Sequence, residues 1–289
     1  MKFNERQRLD TGRVSDRRGV GGPAAAGLGG MGIIGVILML VLSGGDPAVL
    51  SESLGAGPIT PTESADLAAE CQTGADANER QDCRIVAVLN SLDEYWMETS
   101  AQLGIPFNEP TTTLFEGSVT TGGCGSATSA VGPFYCPADE GIYLDLNFFG
   151  ELERRFGASG GDTAEAYVMA HEYGHHMQNL IGTSDQVRQL GQTSGEDSAA
   201  VALELQADCY AGAWVGNAVQ TELITEVSDE DIEEALSAAE AVGDDSIQES
   251  SGSAVNPDSW THGSSAQRQQ WFTTGLNSGD PRSCDTFNE

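Results

Sequence analysis

Lysine is nearly missing from this chain: Lys2 stands alone, and basic residues of both kinds number 13 against 44 acidic ones. The formal net charge of -31 would repel phosphate, which excludes nucleic acid as a partner. So acidic and lysine-poor a composition fits a salt-rich or extracellular setting, although high genomic GC content would bias it the same way. Histidine is also scarce, with four in 289 residues. The cysteines form no C-x-x-C pair and none lies at zinc-finger spacing from a histidine, which argues against a structural zinc site. Hydrophobic content is an ordinary 39%, so a packed core is feasible. The length accommodates one domain of roughly 200 residues and an appendage.

What charge there is divides the chain. Residues 1–18 hold six basic residues, Lys2, Arg6, Arg8, Arg13, Arg17 and Arg18, against three acidic ones, and the next charge is Asp46. The uncharged stretch between them is long enough to cross a bilayer at about 1.5 Å per residue. It reads as a single-pass transmembrane signal anchor over residues 19–45, with residues 1–18 a cytoplasmic tail and the remainder extracytoplasmic. A cleaved signal peptide with Ile33 to Leu42 as its apolar region is the competing reading. Residues 46–70, rich in Gly, Pro, Ser, Thr and Asp, read as a flexible linker, and residues 71–289 as the functional domain.

Six cysteines beyond an apolar segment suggest disulfides formed in an oxidising compartment. The expected pairs are Cys71 with Cys83, Cys124 with Cys136, and Cys209 with Cys284, the first two closing short local loops. Buried free thiols are the alternative.

Three of the four histidines, His171, His175 and His176, fall within residues 164–181. On a helix, His171 and His175 project from one face a turn apart. Two imidazoles so placed can hold a zinc ion, with Glu172 beside it as general base, the physical content of H-E-x-x-H. His176 lies about 140° round the helix from His171 at about 100° per residue, which suits a structural role. Gly174 costs about 1 kcal/mol in a helix relative to Ala, so a close approach of other backbone is expected there.

A catalytic zinc needs a third protein ligand and an open fourth position. Helical spacing over residues 194–219 places Glu204 and Asp208 on one face. Glu204 is the candidate ligand, and Asp208 can accept the outer N–H of a zinc-bound histidine. A solvated acidic pair is the plainer reading. His262 precedes another expected helix, residues 264–276. It is either structural or a donor to the oxyanion of peptide hydrolysis, a role Tyr210 could also take. Arg268 could orient His262, bind a substrate carboxylate or pair with an acid.

Elsewhere, helices are expected over residues 77–103, 147–156 and 228–242, and a strand over 111–121. A hairpin is expected from 129–136 and 141–146, and a mobile polar loop over 243–256. Asp162 or Thr163 would cap the histidine helix, and Glu196 and Asp197 the next one.

The motifs at residues 171–176, 204–212 and 261–268, with the N-terminal Asp-Thr-Gly-Arg-Val-Ser-Asp-Arg-Arg-Gly before an apolar span, resemble the putative neutral zinc metallopeptidase family of membrane-anchored bacterial proteins. The match runs over nearly the whole chain. More distantly, the layout is similar to the gluzincins of the HtpX and CAAX-protease type. That resemblance implies His171, His175 and Glu204 as ligands of one zinc ion, Glu172 as base and Asp208 behind the ligands. It also implies an edge strand within Ser126 to Tyr135 that pairs with substrate backbone. Gly263 departs from that distant group, which usually has proline there, and leaves the role of His262 open.

The expectation is therefore an α+β, zincin-like metalloprotease domain, mainly helical with a small antiparallel sheet and preceded by one transmembrane helix. Its expected partners are a peptide or protein substrate and, through residues 19–45, a membrane. A non-proteolytic, zinc-stabilised binding module and a zinc amidase acting on cell-wall material are the alternatives. Glu172 favours catalysis, because a purely structural site has no use for a carboxylate beside its ligands.

Overall fold

The computed structural model describes residues 1–18, 65–191 and 193–288. In chain order its main elements are β1 (Lys2–Phe3), β2 (Val14–Asp16), α1 (Ala65–Glu70), α2 (Gly74–Glu79), α3 (Gln81–Leu103), β3 (Thr111–Phe115), β4 (Ser118–Thr120) and β5 (Ser126–Thr128). They continue with β6 (Phe134–Cys136), β7 (Gly141–Asp145), α4 (Asn147–Phe156), α5 (Asp162–Ile181), α6 (Thr183–Leu190) and α7 (Ala199–Asn217). The last are β8 (Ile224–Glu226), α8 (Asp229–Ala241), α9 (Asp244–Ser250) and α10 (Ser265–Ser278). Helices dominate and the sheets are small, an α+β architecture.

The helical layer is built on glycine-mediated contacts. A Cβ on Gly212 of α7 would lie 2.0 Å from the Phe272 carbonyl oxygen, and one on Gly275 of α10 would lie 1.9 Å from that of Cys209. Only glycine permits this crossing of α7 and α10. Helices α3, α5, α7 and one face of α10 share a core in which Trp96, Tyr167, Tyr173, Trp214 and Phe272 are almost fully enclosed. Ser228 and Ser264 cap α8 and α10 with reciprocal capping boxes, so the first-turn N–H groups of these helices are satisfied within a few residues.

The larger sheet has the strand order β2-β3-β7-β6 and is mixed. The hairpin β6-β7 is antiparallel, as expected, but β3 runs parallel to both β2 and β7. The expected wholly antiparallel sheet is corrected on this point. Its parallel pairs join strands distant in the chain, which local turn signals do not reveal. All three disulfides join the expected partners, Cys71–Cys83, Cys124–Cys136 and Cys209–Cys284. The first two close loops of 12 residues and the third spans 75.

Residues 1–18 are stitched to the domain. β1 pairs with β8, and β2 adds to β3 as a parallel edge strand. Arg18 reaches Asp82 on α3 at 2.8 Å, and Arg13 pairs with the buried Asp93 on the same helix. A cytoplasmic tail and an extracytoplasmic domain would be kept apart by the bilayer, and these hydrogen bonds could not form. Moreover, among the described residues no helix is long and apolar enough to cross a membrane. The expected single-pass placement, N-terminus inside and domain outside, is corrected accordingly. The stretch 19–45 on which it relied lies outside the described residues, as do residues 46–64 of the expected linker. The end of that linker, Ala65–Glu70, is helix α1, with Leu67 buried.

Asp93 links this N-terminal strap to the histidine helix, accepting a hydrogen bond from the Tyr173 hydroxyl at 2.8 Å. Burial lifts its pKa to about 6, although Arg13 and Tyr173 both pull downward. The unfolded value is near 3.9, so the folded state holds this proton more tightly. Its contribution to stability is present below about pH 4 and is lost as pH rises through about 6. Urea unfolding at pH 4.5 and pH 7 should therefore show Asp93→Asn losing less stability over that interval than the unsubstituted chain.

Candidate metal centre

Helix α5 begins after Gly161, whose φ of 105° serves as the N-cap in place of the expected Asp162 or Thr163, and Gly182 ends it in the left-handed region. Every residue from Thr163 to Gln178 is buried. The centre of this helix is polar yet enclosed, so each polar group needs a partner. Helix α7 supplies several. Its N-cap is Ser198, which accepts a hydrogen bond from the Val201 N–H at 3.2 Å, and not Glu196 or Asp197. A Cβ on Gly174 would sit 3.0 Å from the Ala207 Cα, so this glycine permits the close approach that its position suggested.

That approach brings Glu204 onto the His171–His175 face. Glu204 is 2% exposed; its Oε2 lies 3.2 Å from His171 Nε2 and its Oε1 3.5 Å from His175 Nε2. One donor atom from each of the three residues falls within 4.8 Å of the others. The outer nitrogens are engaged elsewhere: His171 Nδ1 faces Asp208 Oδ1 at 2.8 Å, and His175 Nδ1 faces Gln178 Oε1 at 2.8 Å. An acceptor behind each Nδ1 makes it the N–H and leaves the Nε2 lone pairs pointing at Glu204.

Asp208 is fully buried and heavily coordinated. It accepts from Tyr167 Oη at 2.5 Å, and from Arg268 Nε and Nη2 at 2.8 and 2.9 Å. Burial alone would raise its pKa, but the Arg268 charge and the His171 ring outweigh that and hold it at about 2. Arg268 is itself 2% exposed and donates also to the Val242 carbonyl. Of its three expected roles, the geometry is that of pairing with an acid; its guanidinium faces Asp208, not His262.

The field at the cluster favours positive charge. Burial would lower His171, yet Asp208 and Glu204 raise it to about 9. Burial would raise Glu204, yet the neighbouring His175 and His262 hold it well below its ordinary value. Glu172 differs from both. Burial raises its carboxyl, and its Oε2 is buried with no hydrogen-bond partner. Two imidazoles, one carboxylate and an adjoining unpartnered carboxyl fit a zinc ion: ligand types and number match a three-ligand site, and both Nε2 atoms are unprotonated when their Nδ1 atoms donate.

The remaining expected residues separate. His262 lies near enough to Glu204 to depress its pKa, and its backbone is clamped by Asp244. One Asp244 oxygen accepts from the N–H groups of Thr261, His262 and Gly263 at 2.6, 2.7 and 3.1 Å. Gly263 has φ +87°, which proline cannot adopt. Tyr210 lies away from the cluster, edge-on to Trp96 with ring centroids 5.3 Å apart. At about 100° per residue it projects about 240° round α7 from Glu204, so it is corrected from a site residue to a packing one. His176 bonds to Tyr135 Oη at 3.0 Å and to the Asn108 carbonyl at 2.7 Å, binding the histidine helix to strand β6.

Three contributors were not anticipated. Tyr167 and Gln178 lie four residues before His171 and three after His175, spacings that place them on the same face. Asp244 belongs to the stretch 243–256 expected to be a mobile loop, whose first half is instead helix α9 (Asp244–Ser250). No periodicity marks it.

A buried cluster of two histidines and a glutamate, presented by two crossing helices, could hold a metal ion. The chain belongs to the family described as "Putative neutral zinc metallopeptidase", which matches residues 1–287. It is 50% identical over 226 residues to the uncharacterized protein Rv2575 of Mycobacterium tuberculosis (strain ATCC 25618 / H37Rv), covering 75% of this chain and 74% of that one. It is 37% identical over 297 residues to the uncharacterized protein YpfJ of Escherichia coli (strain K12), covering 99% of each. No solved structure matches it significantly. The family implies a peptide or protein substrate.

Removing Arg268 would leave Asp208 buried without its cation. Arg268→Leu should lower the unfolding free energy by about 3–5 kcal/mol, read from urea denaturation. Tyr210→Phe should leave bound zinc unchanged by metal analysis, because its ring faces Trp96.

Proposed function

We propose that this protein is a zinc-dependent peptidase of zincin-like arrangement, with Glu172 as its general base. The unpartnered Glu172 carboxylate oxygen beside the two histidines carries this reading. A buried acid with no hydrogen bond is costly unless a reacting partner completes it. A purely structural metal site would have no reason to maintain it.

One zinc ion held by His171, His175 and Glu204 would supply Lewis acidity and lower the pKa of water toward about 7. The protein's own groups divide the remaining work. Glu172, its pKa raised by burial, takes a proton from the attacking water and delivers it to the leaving amine. Asp208, held ionised by Arg268, keeps the His171 ring oriented. His262 donates to the oxyanion that forms on the scissile carbonyl, and Asp244 holds the turn that presents it.

The edge strand expected within Ser126 to Tyr135 divides in two. Ser126–Thr128 pairs with β4 in a separate two-stranded sheet, whereas β6 is the outer strand of the larger sheet, with only β7 beside it among the described residues. Tyr135 of β6 is anchored to the metal helix through His176 and Asn179. β6 is therefore the strand we assign to pairing with substrate backbone.

Glu172→Gln should retain about one zinc per chain by metal analysis while peptide hydrolysis falls by about 10²–10⁴-fold. His262→Ala should lower kcat by about 10²–10³-fold and change KM little. Full hydrolysis of a peptide library by Glu172→Gln, or a metal-free unsubstituted protein, would overturn the proposal.

A further inference from the structure

The two helix histidines are backed differently. Behind His171 stands the ionised Asp208, whereas behind His175 stands a neutral amide, Gln178, fully buried on the same helix. An amide offers both an acceptor and a donor, so on its own it could hold either tautomer of an imidazole. What removes the ambiguity is the far side of Gln178. Its Nε2 lies 2.7 Å from the Leu203 carbonyl oxygen, which can only accept, so the NH₂ must face Leu203 and the oxygen must face His175.

A second amide reinforces this polarity. Gln178 Nε2 also reaches Gln206 Oε1 at 3.2 Å, and Gln206 Nε2 donates to the Cys284 carbonyl at 2.9 Å. Cys284 is fastened to Cys209 by a disulfide, and Cys209 adjoins Asp208 on α7. Two backbone carbonyls thus set the direction of every hydrogen bond in the series Cys284, Gln206, Gln178, His175. The last of these bonds requires His175 Nδ1 to carry the hydrogen, and the Nε2 lone pair is left facing Glu204.

We infer that Gln178 and Gln206 form an amide relay that fixes the tautomer and ring orientation of His175 for metal binding, with the disulfide-held Cys284 carbonyl as its terminus. Both glutamines are positioning residues: neither touches the metal or substrate in this scheme. The relay rests on the reading of His171, His175 and Glu204 as zinc ligands. It gives His175 a neutral backing that adds no negative charge to a cluster already containing Glu204, Asp208 and Glu172.

The test measures metal affinity and coordination, not turnover. Zinc affinity of the full chain is measured by competition with a chromophoric chelator, and the coordinating nitrogen of His175 by NMR of cadmium-113-substituted, nitrogen-15-labelled protein. Gln178→Leu should weaken zinc binding by about 10–100-fold. Gln206→Leu should weaken it less, because the Leu203 carbonyl still orients Gln178. In the unsubstituted protein, cadmium coupling to His175 should run through Nε2. Coupling through Nδ1 would overturn the relay without recourse to any variant, as would a folded Gln178→Leu that binds zinc within twofold of the unsubstituted chain. Failure of the unsubstituted protein to take up either metal would instead overturn the site reading beneath it.

Discussion

At Gly174 the histidine helix and α7 come so close that a methyl group there would press on the Ala207 backbone. Glu204 and Asp208 lie one turn or less to either side of Ala207, and His171 and His175 flank Gly174 in the same way. The contact therefore sets the separation between the two halves of the ligand cluster. A wider crossing would leave Glu204 out of reach of both imidazoles and Asp208 out of reach of His171. The same logic recurs where Gly212 and Gly275 let α10 close on α7 and deliver Arg268 to Asp208. Three glycines, none of which offers a side chain, thus govern the electrostatics of the centre.

That electrostatic arrangement is a balance of large opposing terms. Carboxylates at positions 172, 204 and 208 share one buried region, and each would be neutral if burial alone decided. Arg268 and the histidines restore ionisation at Asp208 and Glu204 and leave Glu172 as the group with a raised pKa. Three acids so close together are thereby given different proton affinities, which base catalysis requires of Glu172 and metal ligation requires of Glu204.

Much of the local structure was legible in the sequence because it depends on short-range spacing. The pairs 171/175 and 204/208 are neighbours on any α-helix, and the short cysteine intervals marked local loops. What escaped depended on contacts between distant segments. The parallel pairing of β2 with β3, and of β3 with β7, has no local signal, and neither has the docking of Arg13 and Arg18 on α3. Asp244 sits in a polar run without periodicity, yet it clamps three consecutive backbone N–H groups around His262. Tyr210 shows the opposite failure: helix phase alone would have turned it away from Glu204.

The Cys209–Cys284 bridge also has a bearing on the order in which the molecule can be finished. A chain emerges from the ribosome N-terminus first, and domains generally fold as units once their parts are available. Here helices α5 and α7 are complete by residue 217, but the cation that balances Asp208 arrives at residue 268, and the carbonyl that orients Gln206 arrives at residue 284. Until then the histidines would face an unbalanced buried acid and an amide with no fixed direction. The assembled centre thus requires the chain through residue 284, and a polypeptide that stops short of it carries the ligands without the arrangement that would make them act.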